Sequence, residues 1–201
     1  ENEIRMRKNR ASFNAAPPRS GIWAIALELS VLRSGLMACV MTCGLATAAT
    51  AEEESLNAAL LAALASATGG ETIVLAGGNY GKLELIHGRL GVDATFPSEV
   101  TITAADPNDP PVFSGVDIRG GAILTFDGVV FDYTFQLGHP IYGKPFNFTS
   151  VNNITIRNSV VDGDLAQGVS TVADGFAWGM GLNFQGSNNI TIENVEITKF
   201  W

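Results

Sequence analysis

Beyond Ala51 the chain has no cysteine; its only two, Cys39 and Cys43, lie near the start. That excludes disulfides and cysteine-metal sites from the body of the protein. Charged residues are few, 16% of the total. Basic residues are scarcest where a polyanion partner would need them. Residues 52–201 hold six Lys/Arg against 17 Asp/Glu, a net charge of −11. Nucleic acid is excluded as a partner, because phosphate binding needs a basic surface. No Gly-rich phosphate loop, HExxH, GxSxG or CxxC motif occurs. The familiar sequence signs of nucleotide binding, zinc hydrolysis and serine-esterase chemistry are therefore absent. The body has two histidines, His87 and His139.

Apolar residues are plentiful at 46%, and there are 22 glycines. Asn recurs beside short apolar runs, a mixture that predicts many short strands joined by turns. Residues 1–51 differ in character, with six basic and three acidic residues. Basic residues around Met6 precede an apolar stretch from Gly21, and small residues end at Ala49-Thr50-Ala51. This order predicts a secretory signal cleaved before Glu52, placing the protein outside the cell or in the periplasm. The alternative is a membrane anchor over residues 21–48. The mature chain is expected to have no membrane span and to be a monomer.

The clearest pattern is a repeat. "NNITIRNSVVDGD" starts at Asn152 and "NNITIENVEITKF" at Asn188. The apolar-Thr-apolar triplet Ile154-Thr155-Ile156 returns upstream at Leu124-Thr125-Phe126 and Val100-Thr101-Ile102, more loosely at Ile73-Val74-Leu75, and downstream at Ile190-Thr191-Ile192. Val116/Phe146/Leu182 and Ile118/Phe148/Phe184 repeat ahead of the last three triplets, and Val129/Ser159/Val195 and Phe131/Val161/Ile197 behind them. Each unit reads as three short strands with period-two alternation. Length varies at one corner only, between Phe131 and Phe146 and between Val161 and Leu182.

This pattern predicts an all-β parallel β-helix in which equivalent residues stack in columns. Val100, Leu124, Ile154 and Ile190 form one inward column; Ile102, Phe126, Ile156 and Ile192 form another. The threonines between them face outward. Asp127, Arg157 and Glu193 form a charge ladder, and Asn158 stacks on Asn194. A capping helix at about 54–67 is expected to cover the first coil, with Leu56, Leu60 and Leu64 inward, Ser55 as N-cap and Gly69-Gly70 as stop. The domain is expected over residues 52–201, with coils from about residue 71 and further coils beyond Trp201.

The capping helix, "GGETIVLAGGNYG" (69–81) and "PPVFSGVDIRGGAILTFDGVVFDY" (110–133) together resemble the right-handed β-helix proteins of the pectate-lyase-like superfamily. Within it they are most similar to alginate-lyase and chondroitinase-B-like proteins of polysaccharide lyase family six. The resemblance covers about residues 52–201. It implies a right-handed solenoid and β-elimination on uronate polysaccharides, with a Lys base, an Arg at the leaving oxygen and often calcium. Those catalytic positions match no named residue here.

Two corner loops are candidates for chemistry. "DYTFQLGHPIYGKPF" (132–146) carries His139, Tyr142 and Lys144. β-Elimination needs a base for the proton α to a carboxylate and a cation to hold that carboxylate. Lys144 or Tyr142 suits the first role, and Lys144 or His139 the second; the competing reading is a loop packed on its own aromatics. In "VDGDLAQGVSTVADGFAWGMG" (161–181), Asp162, Asp164 and Asp174 are candidate Ca²⁺ ligands or simply turn-forming residues. Phe176 and Trp178 either stack on sugar rings or cover the corner. Arg157 is either a substrate-binding residue or part of the charge ladder. The expected function is cleavage of an anionic uronate glycan, with glycan binding without turnover and uronate epimerisation as alternatives.

Overall fold

Alternating apolar and polar residues leave each strand with one dry face, which must pack against another. The computed structural model describes residues 22–24, 44–88, 95–136, 138–140, 142–166, 176–177 and 179–200. In chain order these form β1 (Ile22–Ala24), α1 (Gly44–Ser66), β2 (Thr72–Leu75), β3 (Gly78–Asn79), β4 (Lys82–Ile86), β5 (Val100–Ala104) and β6 (Pro111–Phe113). There follow β7 (Gly115–Arg119), β8 (Leu124–Asp127), β9 (Val130–Asp132), β10 (Phe146–Thr149) and β11 (Asn152–Asp162). The last elements are β12 (Leu165–Ala166), β13 (Phe176–Ala177), β14 (Leu182–Gln185) and β15 (Asn188–Thr198).

The strand order corrects the expected fold class. An all-β, right-handed β-helix solenoid with an N-terminal capping α-helix calls for equal coils whose strands stack in separate faces. Instead, nine parallel strands join in one sheet along β1-β2-β5-β8-β11-β9-β6-β3, with β15 on β11. Four parallel strands, β14-β10-β7-β4, form a second sheet, and β12-β13 a short antiparallel pair. The large sheet is a half-barrel whose order is α/β-like. Its cause is local: β11 pairs with β8 through Ile154–Arg157 and with β9 through Val160–Asp162. Between those stretches Asn158 takes a positive φ of 51°, as does Asn194 in β15 at 50°. Asn tolerates this left-handed turn, so the strand bends without ending.

Within this architecture the columns follow the repeat. Ile154 pairs with Leu124 and Ile190, Ile156 with Phe126 and Ile192, and Val100 with Leu124. Phe146 pairs with Val116 and Leu182, and Phe148 with Ile118 and Phe184. Strand β2 is offset from its expected register, because Ile73 pairs with Ile102, not Val100. A slip of two residues keeps the same face inward, so alternation cannot detect it.

The core lies between the sheets. Phe113, Phe126, Phe131, Phe146 and Phe148 are fully buried. Their rings meet edge-on or tilted at centroid distances of 5.3–6.5 Å. Each such pair adds about 0.5–1.5 kcal/mol beyond burial.

Helix α1 starts ten residues earlier than expected, so Ser55 lies inside it rather than at a cap. It runs unbroken across Ala51 and Glu52, where cleavage was expected. Leu60 and Leu64 are buried in the core, and Leu56 packs at its edge. The Asn57 amide donates to the carbonyls of Tyr80 (2.5 Å) and Lys82 (3.0 Å), tying the helix to the start of β4. After the helix, Gly69 has φ of 101°, and a Cβ there would lie 2.9 Å from the Ser98 amide. Among the described residues no helix is long and apolar enough to cross a membrane.

Candidate functional site

The four-stranded sheet places a polar surface on its outer face. Val116 and Ile118 point inward, so Asp117 and Arg119 point outward. The register continues both rows: Glu84, Asp117, Asn147, Asn183, and beside them Arg119, Thr149, Gln185. Tyr133, His139, Pro140, Gly143, Lys144 and Pro145, from the loop that follows β9, form the wall. Floor and wall enclose an open cleft of about 770 Å³. Its polar lining includes Lys82, Asp117, Arg119, Tyr133, His139, Lys144 and Asn147.

Hydrogen bonds order the floor. Arg119 grips the buried Asp117 with two bonds, Nε to Oδ1 at 2.8 Å and Nη2 to Oδ2 at 2.6 Å. Asn147 donates to Asp117 Oδ1 at 3.0 Å and accepts from Asn183 at 2.7 Å. Burial pushes the Asp117 carboxyl up, but the bonds from Arg119 and Asn147 and the charges of Arg119 and Lys82 outweigh it. The carboxyl sits below the usual aspartate range. Lys82 pairs with Glu84 at the rim. Lys144 is exposed and makes no ion pair among the described residues.

The wall holds a Tyr-His pair. Tyr133 Oη lies 2.7 Å from His139 Nδ1, with the rings stacked at 5.8 Å. The Gln136 amide also donates to Nδ1, at 3.4 Å. A backbone N–H can only donate, so Nδ1 carries the lone pair and the Tyr133 hydroxyl donates to it. Tyr133 is buried; that burial, and then the nearby Asp164 charge, push its hydroxyl above the ordinary phenol value.

The structure brings two members of the expected trio, His139 and Lys144, to the cleft. Tyr142 is 59% exposed and stands outside its lining. Arg157 lies on the other sheet, bonded to Asp127 through Nε (3.0 Å) and Nη2 (2.9 Å). The Phe176 backbone pairs with Ala166 in the β12–β13 ribbon. Trp178 and Asp174 lie outside the described residues.

Asp162 and Asp164 are engaged by protein groups. Asp162 accepts from Thr198 (2.8 Å) and Lys199 (2.9 Å). Asp164 accepts from the amides of Phe135 (2.9 Å) and Leu165 (3.1 Å). Among the described residues no three His, Cys, Asp or Glu side chains gather as a metal site.

Tyr133, Lys82, Arg119 and Asn147 were not singled out by sequence reasoning. The strand residues had a usable signal. Asp117/Asn147 and Arg119/Thr149 occupy the outward positions that alternate with the inward columns Val116/Phe146 and Ile118/Phe148. Tyr133 had none, because its place depends on the path of the loop.

No protein-family model, no curated protein and no solved structure matches the chain.

Proposed function

We propose that the protein binds an anionic, uronate-containing polysaccharide in this cleft and cleaves it by β-elimination. One observation carries the reading. Residues 52–201 hold only six basic residues against 17 acidic ones, and three of the six, Lys82, Arg119 and Lys144, line this single cleft with one acid, Asp117. Lys82 and Arg119 are matched by Glu84 and Asp117, which leaves the exposed Lys144 as the unmatched cation that would draw an acidic polymer to this cleft. The floor adds amide and hydroxyl groups, Asn147, Thr149 and Gln185, suited to sugar hydroxyls. The secretory segment expected to end at Ala51 belongs to the same reading.

In β-elimination the proton α to the carboxylate is removed and the glycosidic bond at the β carbon breaks. Lys144, an exposed cation on the cleft lining, would hold the carboxylate and favour that proton's departure. The test is incubation of the full chain with alginate and chondroitin, following the absorbance of the unsaturated product. Absence of product across a uronate panel, from folded protein, overturns cleavage. The Arg119–Asp117 pair favours a second reading, binding without turnover, because that cation is already matched by an acid. Calorimetric binding of the same polymers without product, and without any change in uronate composition, would select it over lyase and epimerase.

A further inference from the structure

We propose that Tyr133 is the proton-transfer residue of the cleft and that His139 receives the Tyr133 proton at Nδ1. This rests on the elimination reading above. Its basis is geometric: Tyr133 lines the cleft, and its hydroxyl meets His139 Nδ1 at 2.7 Å. The Gln136 amide at 3.4 Å keeps that nitrogen an acceptor in the resting state. The imidazole is held on both sides, stacked on Tyr133 and edge-on to Phe135 at 6.3 Å. Such support fixes the ring for a short proton jump.

The step balances within the pair. The C–H bond α to the carboxylate breaks and its proton joins Tyr133 Oη, while the Tyr133 proton moves to His139 Nδ1. The electron pair left on carbon forms the C=C bond and expels the glycosidic oxygen from the β carbon. The imidazolium then returns its proton through Tyr133 to that oxygen, so both residues end as they began. The products are an unsaturated uronate end and a new hydroxyl end. Burial and the Asp164 charge disfavour a standing phenolate, which suits a hydroxyl that carries protons through and does not store charge. The charged groups around Tyr133 are Asp164 behind it and Asp117, Arg119, Lys82 and Lys144 in the cleft.

The experiment uses the full chain and a uronate oligomer, measuring calorimetric Kd, rate of unsaturated product, and deuterium uptake at the α carbon in heavy water. Tyr133→Phe should leave Kd within about threefold and lower the rate by roughly 10²–10⁴. His139→Ala should lose rate likewise and regain part of it with added imidazole, a rescue that a purely structural role would not give. Wild-type turnover with an undiminished Tyr133→Phe rate, or no imidazole rescue, overturns the relay and leaves the elimination reading standing. Binding by wild type with neither product nor deuterium uptake overturns both. If Tyr133→Phe lowers the melting temperature markedly, the imidazole rescue of His139→Ala decides.

Discussion

Ile156 and Ile192 pair Cα to Cα in adjacent parallel strands, within identical NNITI stretches, yet Ile156 is fully buried and Ile192 is 43% exposed. β11 lies between β8 and β15 and is covered on both sides. β15 pairs only with β11 among the described strands. The same side chain therefore has different worth in the two copies. Ile156→Ala should cost about 2–5 kcal/mol, since it opens a cavity among Phe126 and its neighbours. Ile192→Ala should cost less than about 1 kcal/mol. Urea unfolding of the two variants checks this, and equal losses would contradict the packing described.

Asn158 has a specific backbone role. Its φ is 51°, and its amide donates to Asp127 at 2.8 Å and accepts from Asn194 at 2.9 Å. Asn158→Ala should cost about 1–2 kcal/mol from the left-handed conformation, with the lost amide bonds in addition. Asn158→Gly removes that strain and loses only the bonds, so it should be the more stable of the two variants. Thermal melts of the pair give the comparison.

Asp132 sits in register with Asp162. Partial burial, and then the charges of Asp162 and Asp164, push its carboxyl above the ordinary aspartate value, despite the nearby Lys199. A raised carboxyl destabilises the fold when ionised. That penalty is absent below the ordinary value of 3.8 and complete once pH exceeds the raised one. Asp132→Asn should therefore stabilise the protein at neutral pH, with the gain vanishing in acid. Asp162 has the opposite sign. Burial pushes it up, but Lys199 and Thr198 outweigh that and hold it below the ordinary value. Its contribution is present above that value and fades as pH falls through the depressed one. Melting temperature against pH, for wild type and both Asp→Asn variants, separates the two.

The cations Arg157 and Lys144 should behave differently. Arg157 pairs with Asp127 at a half-exposed site, a contact worth about 0–1 kcal/mol. Arg157→Ala should barely move stability and leave uronate binding unchanged. Lys144→Ala should leave stability unchanged and weaken uronate binding about threefold to tenfold, with a smaller dependence on salt. Calorimetry at two ionic strengths distinguishes them.

Much of the interior was legible in the chain. Period-two alternation identified Leu124, Phe126, Ile154 and Ile156 as inward residues, and the repeat paired them correctly. It could not show that β11 turns at Asn158 and keeps pairing on both sides, so the separation into solenoid faces did not hold. Alternation reports which face a residue takes, whereas strand continuity depends on the dihedral angles of single corner residues. The site divides in the same way. His139 and Lys144 were visible as rare residue types in a variable loop. Tyr133 was one more aromatic of the same loop, and Tyr142 was the tyrosine singled out there as a candidate base.

The amino-acid sequence by itself determined the inward columns, the scarcity of positive charge and the loop that carries a histidine. All three follow from composition and short-range periodicity, which survive any arrangement of the rows. Only the tertiary structure decided that nine strands share one sheet, that Lys82, Arg119 and Lys144 line one cleft, and that Tyr133 reaches His139. Those outcomes depend on hydrogen bonds and contacts between residues far apart in the chain, such as Asn147 to Asp117 across strands. Spacing along a sequence does not encode the path by which a loop returns to its sheet.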